Sequence, residues 1–235
     1  ENFAIGLKED GTVWTWGLQA NGRLGNGIAN GSTIVEPVQV KINAEEYLTD
    51  IIDIAVGANY TVAVRRDGTV WTWGHNYSYQ LGDGTRTDRE YAVQVKVDAN
   101  TYLTDIVDIA AGSNATGDGR DSSNTVALKT DGTVWTWGAQ GYNDRYFSGN
   151  SGQLGRDGNG NYPYAGKADV FEKITKVEAG YRRTVGLKID GTVWSCGYNA
   201  NGEFGNGVAY AWDSINQVAQ RANITEVKDI STTHH

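Results

Sequence analysis

One octet, Asp-Gly-Thr-Val-Trp-Thr-Trp-Gly, is repeated along the chain and constrains the fold more than any other feature. It occupies Asp10–Gly17, Asp67–Gly74 and Asp131–Gly138, and a weakened copy ending Trp-Ser-Cys-Gly occupies Asp190–Gly197. The copies begin 57, 64 and 59 residues apart. A recurring interval of this kind indicates a repeat architecture, in which each unit buries its apolar face against its neighbours.

The octet predicts a β-hairpin followed by a strand. An Asp-Gly pair between two alternating runs favours a tight turn, because the turn needs positive φ at its centre. Val13 to Trp16 are good strand formers, and Trp14 and Trp16, two positions apart, point to the same side of the sheet. We interpret the tryptophans as core between stacked sheets, with an aromatic ligand platform as the alternative.

Each period contains four short strands. In the second period we predict strands at 51–56, 60–65, 69–73 and 92–97, with a glycine-rich crossing over 75–84 between the last two. Short, evenly spaced strands with a periodic aromatic motif are typical of propeller blades. The sequence therefore predicts an all-β fold, a β-propeller of four-stranded blades with four repeats in this chain.

A second motif follows each octet and carries a family resemblance. It has the form Gly-Gln-Leu-Gly-x-Gly, and it stands at Gly22–Gly27, Gln80–Gly84, Gly152–Gly155 and Gly202–Gly207. Together with the octet it resembles the RCC1 repeat family, in particular the bacterial branch that includes the β-lactamase inhibitory protein BLIP-II. The resemblance implies a propeller, usually of seven blades, and a secreted or cell-surface location in a bacterium. Only four repeats are present, which departs from the usual count.

The two ends of the chain carry complementary parts of one blade. The segment 229–233 aligns with 53–57, and 1–5 aligns with 58–62. We expect one propeller domain over 1–235, with repeats at about 1–49 plus 224–233, 50–104, 105–172 and 173–223, closed by terminal strands that share a blade and so bury both sheet edges. Two alternatives are a ring shared between two chains, which would make a homo-oligomer, and an arc of a larger propeller.

Composition and motifs argue against several function classes. The net charge is −8 without a basic cluster, which argues against nucleic-acid binding, and no apolar run approaches the ~18 residues of a membrane span. Outside the terminal histidine pair the chain has one histidine, His75, and one cysteine, Cys196, too few for a thiol–imidazole pair or a zinc set. The segment 157–161 opens like a calcium loop, but Ala168 stands where the chelating Glu belongs. We expect no enzyme activity, metal or cofactor.

Two insertions mark one surface as the candidate binding face. Strands alternate in direction, so the turns after the first and third strands of every blade share one face. The third blade carries nine extra residues between Gly112 and Asp131 and nine between Gly138 and Gly152. Both belong to that face, and insertions in repeat folds often mark the binding side.

The predicted binding residues are mostly tyrosine and arginine, the composition of adaptable binding loops. They are Tyr60, His75, Tyr77, Tyr142, Arg145, Tyr146, Phe147, Tyr181, Arg182 and Tyr198. We expect a non-enzymatic protein–protein interaction module whose partner protein the sequence does not name. The alternatives are a structural or adhesive segment of a larger surface protein and a carbohydrate-binding module. Ordinary packing of surface aromatics on their own loops would explain part of the set.

Overall fold

The computed structural model describes residues 2–112, 123–143, 148–150, 152–158, 160–209 and 217–232, with the backbone alone at 141–143 and 148–150. In these ranges the chain forms strands and turns and no helix, so the predicted all-β fold is confirmed and no helix there could cross a membrane.

The first blade contains β1 (Phe3–Leu7), β2 (Val13–Ala20) and β3 (Asn30–Gln39). The second contains β4 (Ile51–Val56), β5 (Tyr60–Arg65), β6 (Val70–Gly74) and β7 (Arg89–Gln94). The third contains β8 (Ile106–Ala111), β9 (Asn124–Lys129), β10 (Val134–Gly138) and β13 (Tyr162–Lys167), with the ribbon β11 (Gly141–Asn143) and β12 (Ser148–Asn150) inserted. The fourth contains β14 (Ile174–Gly180), β15 (Arg183–Lys188), β16 (Val193–Gly197) and β17 (Gln220–Arg221).

Blades two, three and four are antiparallel four-stranded sheets in which sequential strands are neighbours. The strands predicted at 51–56 and 60–65 lie where expected, and the third begins one residue late. The fourth, predicted at 92–97, lies at Arg89–Gln94 instead. The shift arises because the chain leaves the sheet after Val95, whose N–H still donates to the carbonyl of Val70 at 2.9 Å.

The octet is held by a short relay of hydrogen bonds that is the same in all four copies. In the second blade Asp67 Oδ1 accepts from the N–H of Thr69 at 3.0 Å and from Thr69 Oγ1 at 2.6 Å. Thr69 Oγ1 in turn accepts from the indole Nε1 of Trp71 at 3.1 Å. Gly68, at φ +79°, allows the hairpin to lie close to the next blade, because a Cβ at this position would be only 3.0 Å from Asp105 N. The relay fixes the turn and the first indole together.

The second tryptophan of the octet joins neighbouring blades. Trp73 and Trp137 are fully buried. The indole of Trp73 donates to the carbonyl of Arg23 at 3.1 Å, and that of Trp137 donates to the carbonyl of Gln80 at 2.9 Å, each in the preceding blade. The interpretation of these tryptophans as core between sheets is therefore confirmed, and each seam between blades has its own apolar cluster.

The fourth copy replaces the second tryptophan by Cys196. Its Sγ lies 3.7 Å from the carbonyl oxygen of Gln153, the residue equivalent to Gln80 in the preceding seam. Burial raises the pKa of the Cys196 thiol to about 12, so the group stays a neutral thiol at physiological pH. The side chain is a packing element rather than a nucleophile.

The segment 224–232 docks on the fourth blade as an opening strand would. The N–H of Val227 donates to the carbonyl of Gly191 at 3.0 Å, as Ile51 does to Gly11 at 3.0 Å. Within the described ranges, however, the segment forms no strand, and β1 pairs with β2 alone. Closure of the ring, within one chain or between two, stays a prediction.

Candidate functional site

The loops after the first and third strands of each blade meet on one surface, which we call the loop face. The N–H that follows the octet glycine donates to the first loop of the same blade: His75 to the carbonyl of Asn59 at 2.9 Å, and Tyr198 to that of Arg182 at 2.9 Å. The Asp-Gly hairpins lie at the opposite end of the strands. There the carbonyl of Gly68 accepts from Ile106 N of the next blade at 3.1 Å, and we call this surface the hairpin face.

The described ends of the two insertions of the third blade lie side by side on the loop face, and residues 113–122 of the first insertion lie outside the described residues. The N–H of Ala139 donates to the carbonyl of Ser123 at 3.0 Å, so the end of the first insertion touches the start of the second. The second insertion contains the ribbon β11–β12, in which Tyr142 faces Gly149 across the ladder. Only the backbone of Tyr142 is described, and Arg145, Tyr146 and Phe147 lie outside the described residues. Their role in binding stays a prediction.

Aromatic and charged side chains gather on the loop face of the second blade. We call His75, Tyr77, Tyr79, Arg86 and Asp88 the blade-two cluster. The rings of His75 and Tyr77 are stacked, with centroids 6.4 Å apart and planes inclined by 6°. The guanidinium carbon of Arg86 lies 4.6 Å from the Tyr77 centroid and 5.2 Å from that of Tyr79. Arg86 Nε donates to the carbonyl of Tyr77 at 2.8 Å, and Tyr77 remains 53% exposed.

Asp88 ties this cluster to the first blade. Its Oδ1 accepts from Asn76 N at 2.8 Å and lies 3.1 Å from His75 Nδ1, while its Oδ2 accepts from Asn21 Nδ2 at 2.8 Å. Burial opposes ionisation, but the hydrogen bonds from His75, Asn21 and Asn76 outweigh it and lower the pKa of Asp88 below its usual value. The carboxylate is therefore charged at neutral pH and anchors the histidine ring.

A buried amide fixes the loop that carries Tyr77. Asn76 Oδ1 accepts from the N–H of Leu81 at 3.1 Å, and its Nδ2 donates to Asp83 Oδ1 at 3.1 Å and to the carbonyl of Thr85 at 2.9 Å. The third and fourth blades use an amide in the same way, at the second position after the octet. The bonds there run from Leu154 N to Gln140 Oε1 at 3.0 Å and from Phe204 N to Asn199 Oδ1 at 2.8 Å. Sequence reasoning missed this amide, although its constant offset from the octet could have revealed it.

A smaller cluster lies on the loop face of the fourth blade. The rings of Tyr181 and Tyr198 meet edge to face at 5.9 Å, and the guanidinium of Arg182 lies 5.2 Å from the Tyr181 centroid. Tyr198 is only 6% exposed. Burial, with Glu203 and Tyr181 nearby, raises the pKa of its hydroxyl. The structure thus brings three of the predicted residues into contact. Tyr198 is mostly buried and packs beneath Tyr181 and Arg182.

Tyr60 is misplaced in the predicted set. Its side chain is fully buried, and its hydroxyl lies 2.9 Å from the carbonyl oxygen of Asn124 and 3.2 Å from that of Gly112. The ring packs into the seam toward the third blade. Gly57 makes room for it, since a Cβ there would lie 2.0 Å from the ring. The structure therefore leaves no exposed Tyr60 surface for the partner contact that was predicted.

Three residues of the blade-two cluster, Tyr79, Arg86 and Asp88, were absent from the predicted set. Arg86 and Asp88 lie nine and eleven residues beyond Tyr77, in a polar stretch. That stretch contains no local pattern that would single them out. Among the described residues, no group of three or more His, Cys, Asp or Glu side chains is placed to hold a metal ion.

Comparison with known families identifies the repeat. A model of the Regulator of chromosome condensation (RCC1) repeat matches residues 10–64 and 67–117, and a second model of the same repeat matches 51–80 and 174–203. The human E3 ubiquitin-protein ligase HERC2 is 28% identical over 206 residues, which cover 86% of this chain and 4% of that protein. The ultraviolet-B receptor UVR8 of Arabidopsis thaliana is 27% identical over 209 residues, which cover 88% of this chain and 42% of the receptor.

Solved structures share the fold. Human WBSCR16 superimposes with a TM-score of 0.72 at 14% identity, covering 96% of this chain and 52% of the other. Prp20p of Saccharomyces cerevisiae, described with its binding properties to Gsp1p and histones, superimposes with a TM-score of 0.68 at 19% identity, covering 96% and 49%. The chain thus spans about half the length of these structures and less than half of the curated relatives.

Proposed function

The chain belongs to the RCC1 repeat family, and we propose that it is a non-enzymatic protein-interaction module whose loop face receives a partner protein. The observation that carries the proposal is the blade-two cluster, in which an exposed tyrosine is stacked with a histidine ring and lies against an arginine guanidinium. Tyrosine and arginine are enriched among the few residues that carry most of the binding energy at protein interfaces. Relatives that bind proteins, such as Prp20p, add support at the level of the family.

Rigidity of the loop makes this cluster suitable for binding. The buried Asn76 amide fixes the loop below, and Asp88 fixes the His75 ring beside it. Side chains that are already ordered lose little conformational entropy when a partner arrives. The described ends of the two insertions of the third blade lie on the same face.

Paired double variants test the proposal. Tyr77→Ala with Arg86→Ala alters the loop face, and Tyr102→Ala with Arg66→Ala is the control. The control pair has the same residue types, a tyrosine of similar exposure (48%), and no place on the loop face. The immobilised variants are incubated with extract of the source cells, and the retained proteins are identified by mass spectrometry.

We expect a protein that the native chain and the control retain and that the loop-face variant loses. Far-UV circular dichroism must show both variants folded. Loss of the same protein from the control variant, or retention by the loop-face variant, would refute the proposal.

A further inference from the structure

Arg86 differs in its environment from other arginines of the loop face. Arg23 donates to the carbonyl of Ala20 at 2.9 Å, and Arg89 pairs with the buried carboxylate of Asp83 at 2.6 Å. Arg86 is exposed, and its Nε donates to a backbone carbonyl. In the part of the chain that the structure describes, no carboxylate pairs with Arg86.

The stacking of Arg86 fixes its orientation. The guanidinium carbon lies over the Tyr77 ring and near the Tyr79 ring, and the Nε–H donates to the carbonyl of Tyr77. The terminal nitrogens, Nη1 and Nη2, are the remaining donors. A planar guanidinium held in this way offers two parallel N–H groups to an incoming carboxylate, the geometry that arginine recognises best.

The acids nearest in sequence do not neutralise this charge. Asp83 is paired with Arg89, and Asp88 is occupied by Asn21, Asn76 and His75. A fixed cation therefore stands at the surface of a chain whose net charge is −8. A partner that brings a negative group to this point gains an ion pair without disrupting one inside the protein.

We propose that Arg86 receives an acidic side chain, Asp or Glu, of the partner protein, with Tyr77 giving an apolar surface beside the charge. This inference rests on the proposed function of the loop face. A phosphorylated side chain carries a similar anion, and the experiment below separates it from a carboxylate.

Three short peptides probe the site directly: N-acetyl-Phe-Glu-Gly-amide, its Gln counterpart and its phosphoserine counterpart. Binding to the full chain is followed by NMR through the backbone amide signals of Tyr77 and Tyr79, which neighbour Arg86 and are present in every variant. The variant is Arg86→Gln, and the control is Arg66→Gln, an exposed arginine on the hairpin face. Melting temperatures verify that both variants are folded.

We expect the Glu peptide to bind about tenfold more tightly than the Gln peptide, as for one charge-assisted pair in contact with water. The preference should vanish in Arg86→Gln and persist in Arg66→Gln. Equal binding of the Glu and Gln peptides, or a preference that survives Arg86→Gln, would overturn the inference. Much tighter binding of the phosphoserine peptide would overturn the carboxylate assignment in favour of a phosphate.

The result is separable from that of the protein-capture experiment. If capture is insensitive to the loop-face variant while the Glu preference depends on Arg86, the proposed function fails and the anion site stands. If capture depends on the loop face and the peptides do not discriminate, the function stands and this inference fails.

Discussion

The Trp-to-Cys change in the fourth octet has a compensating change elsewhere in the same seam. Trp137 shares its apolar cluster with Leu103, whereas Cys196 shares its cluster with Phe171, which stands at the position equivalent to Leu103. The equivalent glycines Gly82 and Gly155 lie in the two seams, and the atoms that an added Cβ would meet there show which side chains fill the space beside them. At Gly82 it would meet the Trp137 indole at 2.7 Å, and at Gly155 it would meet Val170 at 2.6 Å and Phe171 at 3.4 Å. The phenyl ring of Phe171 thus lies, together with Val170, beside the glycine equivalent to the one that the indole contacts between the second and third blades.

This exchange predicts an energetic coupling between the two positions. Trp137→Cys removes a fully buried indole and its hydrogen bond to the carbonyl of Gln80, which should cost about 3–5 kcal/mol. Leu103→Phe alone overpacks an intact seam and should cost about 1–3 kcal/mol. In the double variant the phenyl ring enters the vacated space, so the total loss should be smaller than the sum by at least about 1 kcal/mol.

Urea unfolding followed by far-UV circular dichroism gives the four free energies of the cycle. The matched control combines Trp73→Cys with Leu103→Phe, because these residues belong to different seams and should act additively. Additivity of Trp137→Cys with Leu103→Phe, or equal coupling in this pair and in the control pair, would refute the compensation argument.

Three further predictions concern the hairpins, the thiol and the insertion. Hydrogen bonds from the Thr12 side chain and N–H lower the pKa of Asp10 from 3.8 to about 2, so the stabilisation that its carboxylate provides is present above pH 4 and is lost as the pH falls toward 2. Thermal melts of Asp10→Asn should therefore vary less with pH over that window than melts of the native chain, and an equal dependence would count against the relay. Because Cys196 is fully buried and its pKa is raised to about 12, a disulfide reagent at pH 8 should label it only after urea unfolding, and rapid labelling of the native chain would contradict its place in the seam. Shortening 141–148 to a tight turn, which keeps the buried Gln140 amide, should reduce retention of the partner without lowering the melting temperature, whereas unchanged retention would exclude the second insertion from the interface.

The strands and the seams could be predicted because the octet encodes them locally. Asp67, Thr69 and Trp71 bond to one another within five residues, so the turn and the strand after it follow from the sequence alone. In the octet, Val70 and Thr72 alternate with the two tryptophans. This alternation predicts that both indoles lie on the same side of the sheet, facing a neighbouring blade. The fourth strand was placed three residues late because its end depends on where the chain leaves the sheet toward the next blade.

For the candidate site, the sequence predicted which surface of the propeller carries the loops, but it did not predict which side chains are exposed there. Alternation of strand direction is a property of any blade, and it placed the loops after the first and third strands together. Which tyrosines of that face are exposed was not predictable in this way. Tyr60 and Tyr77 both adjoin loops of the second blade, yet the first is fully buried and the second is 53% exposed.

The sequence by itself determined that this chain is a repeated β-structure, because turn chemistry and strand alternation act over a few residues. Only the tertiary structure decided that Tyr60 fills the space between two blades and that Arg86 lies across Tyr77. Burial and stacking of this kind arise from contacts between neighbouring blades and across folded loops. No local pattern specifies them before the sheets have packed.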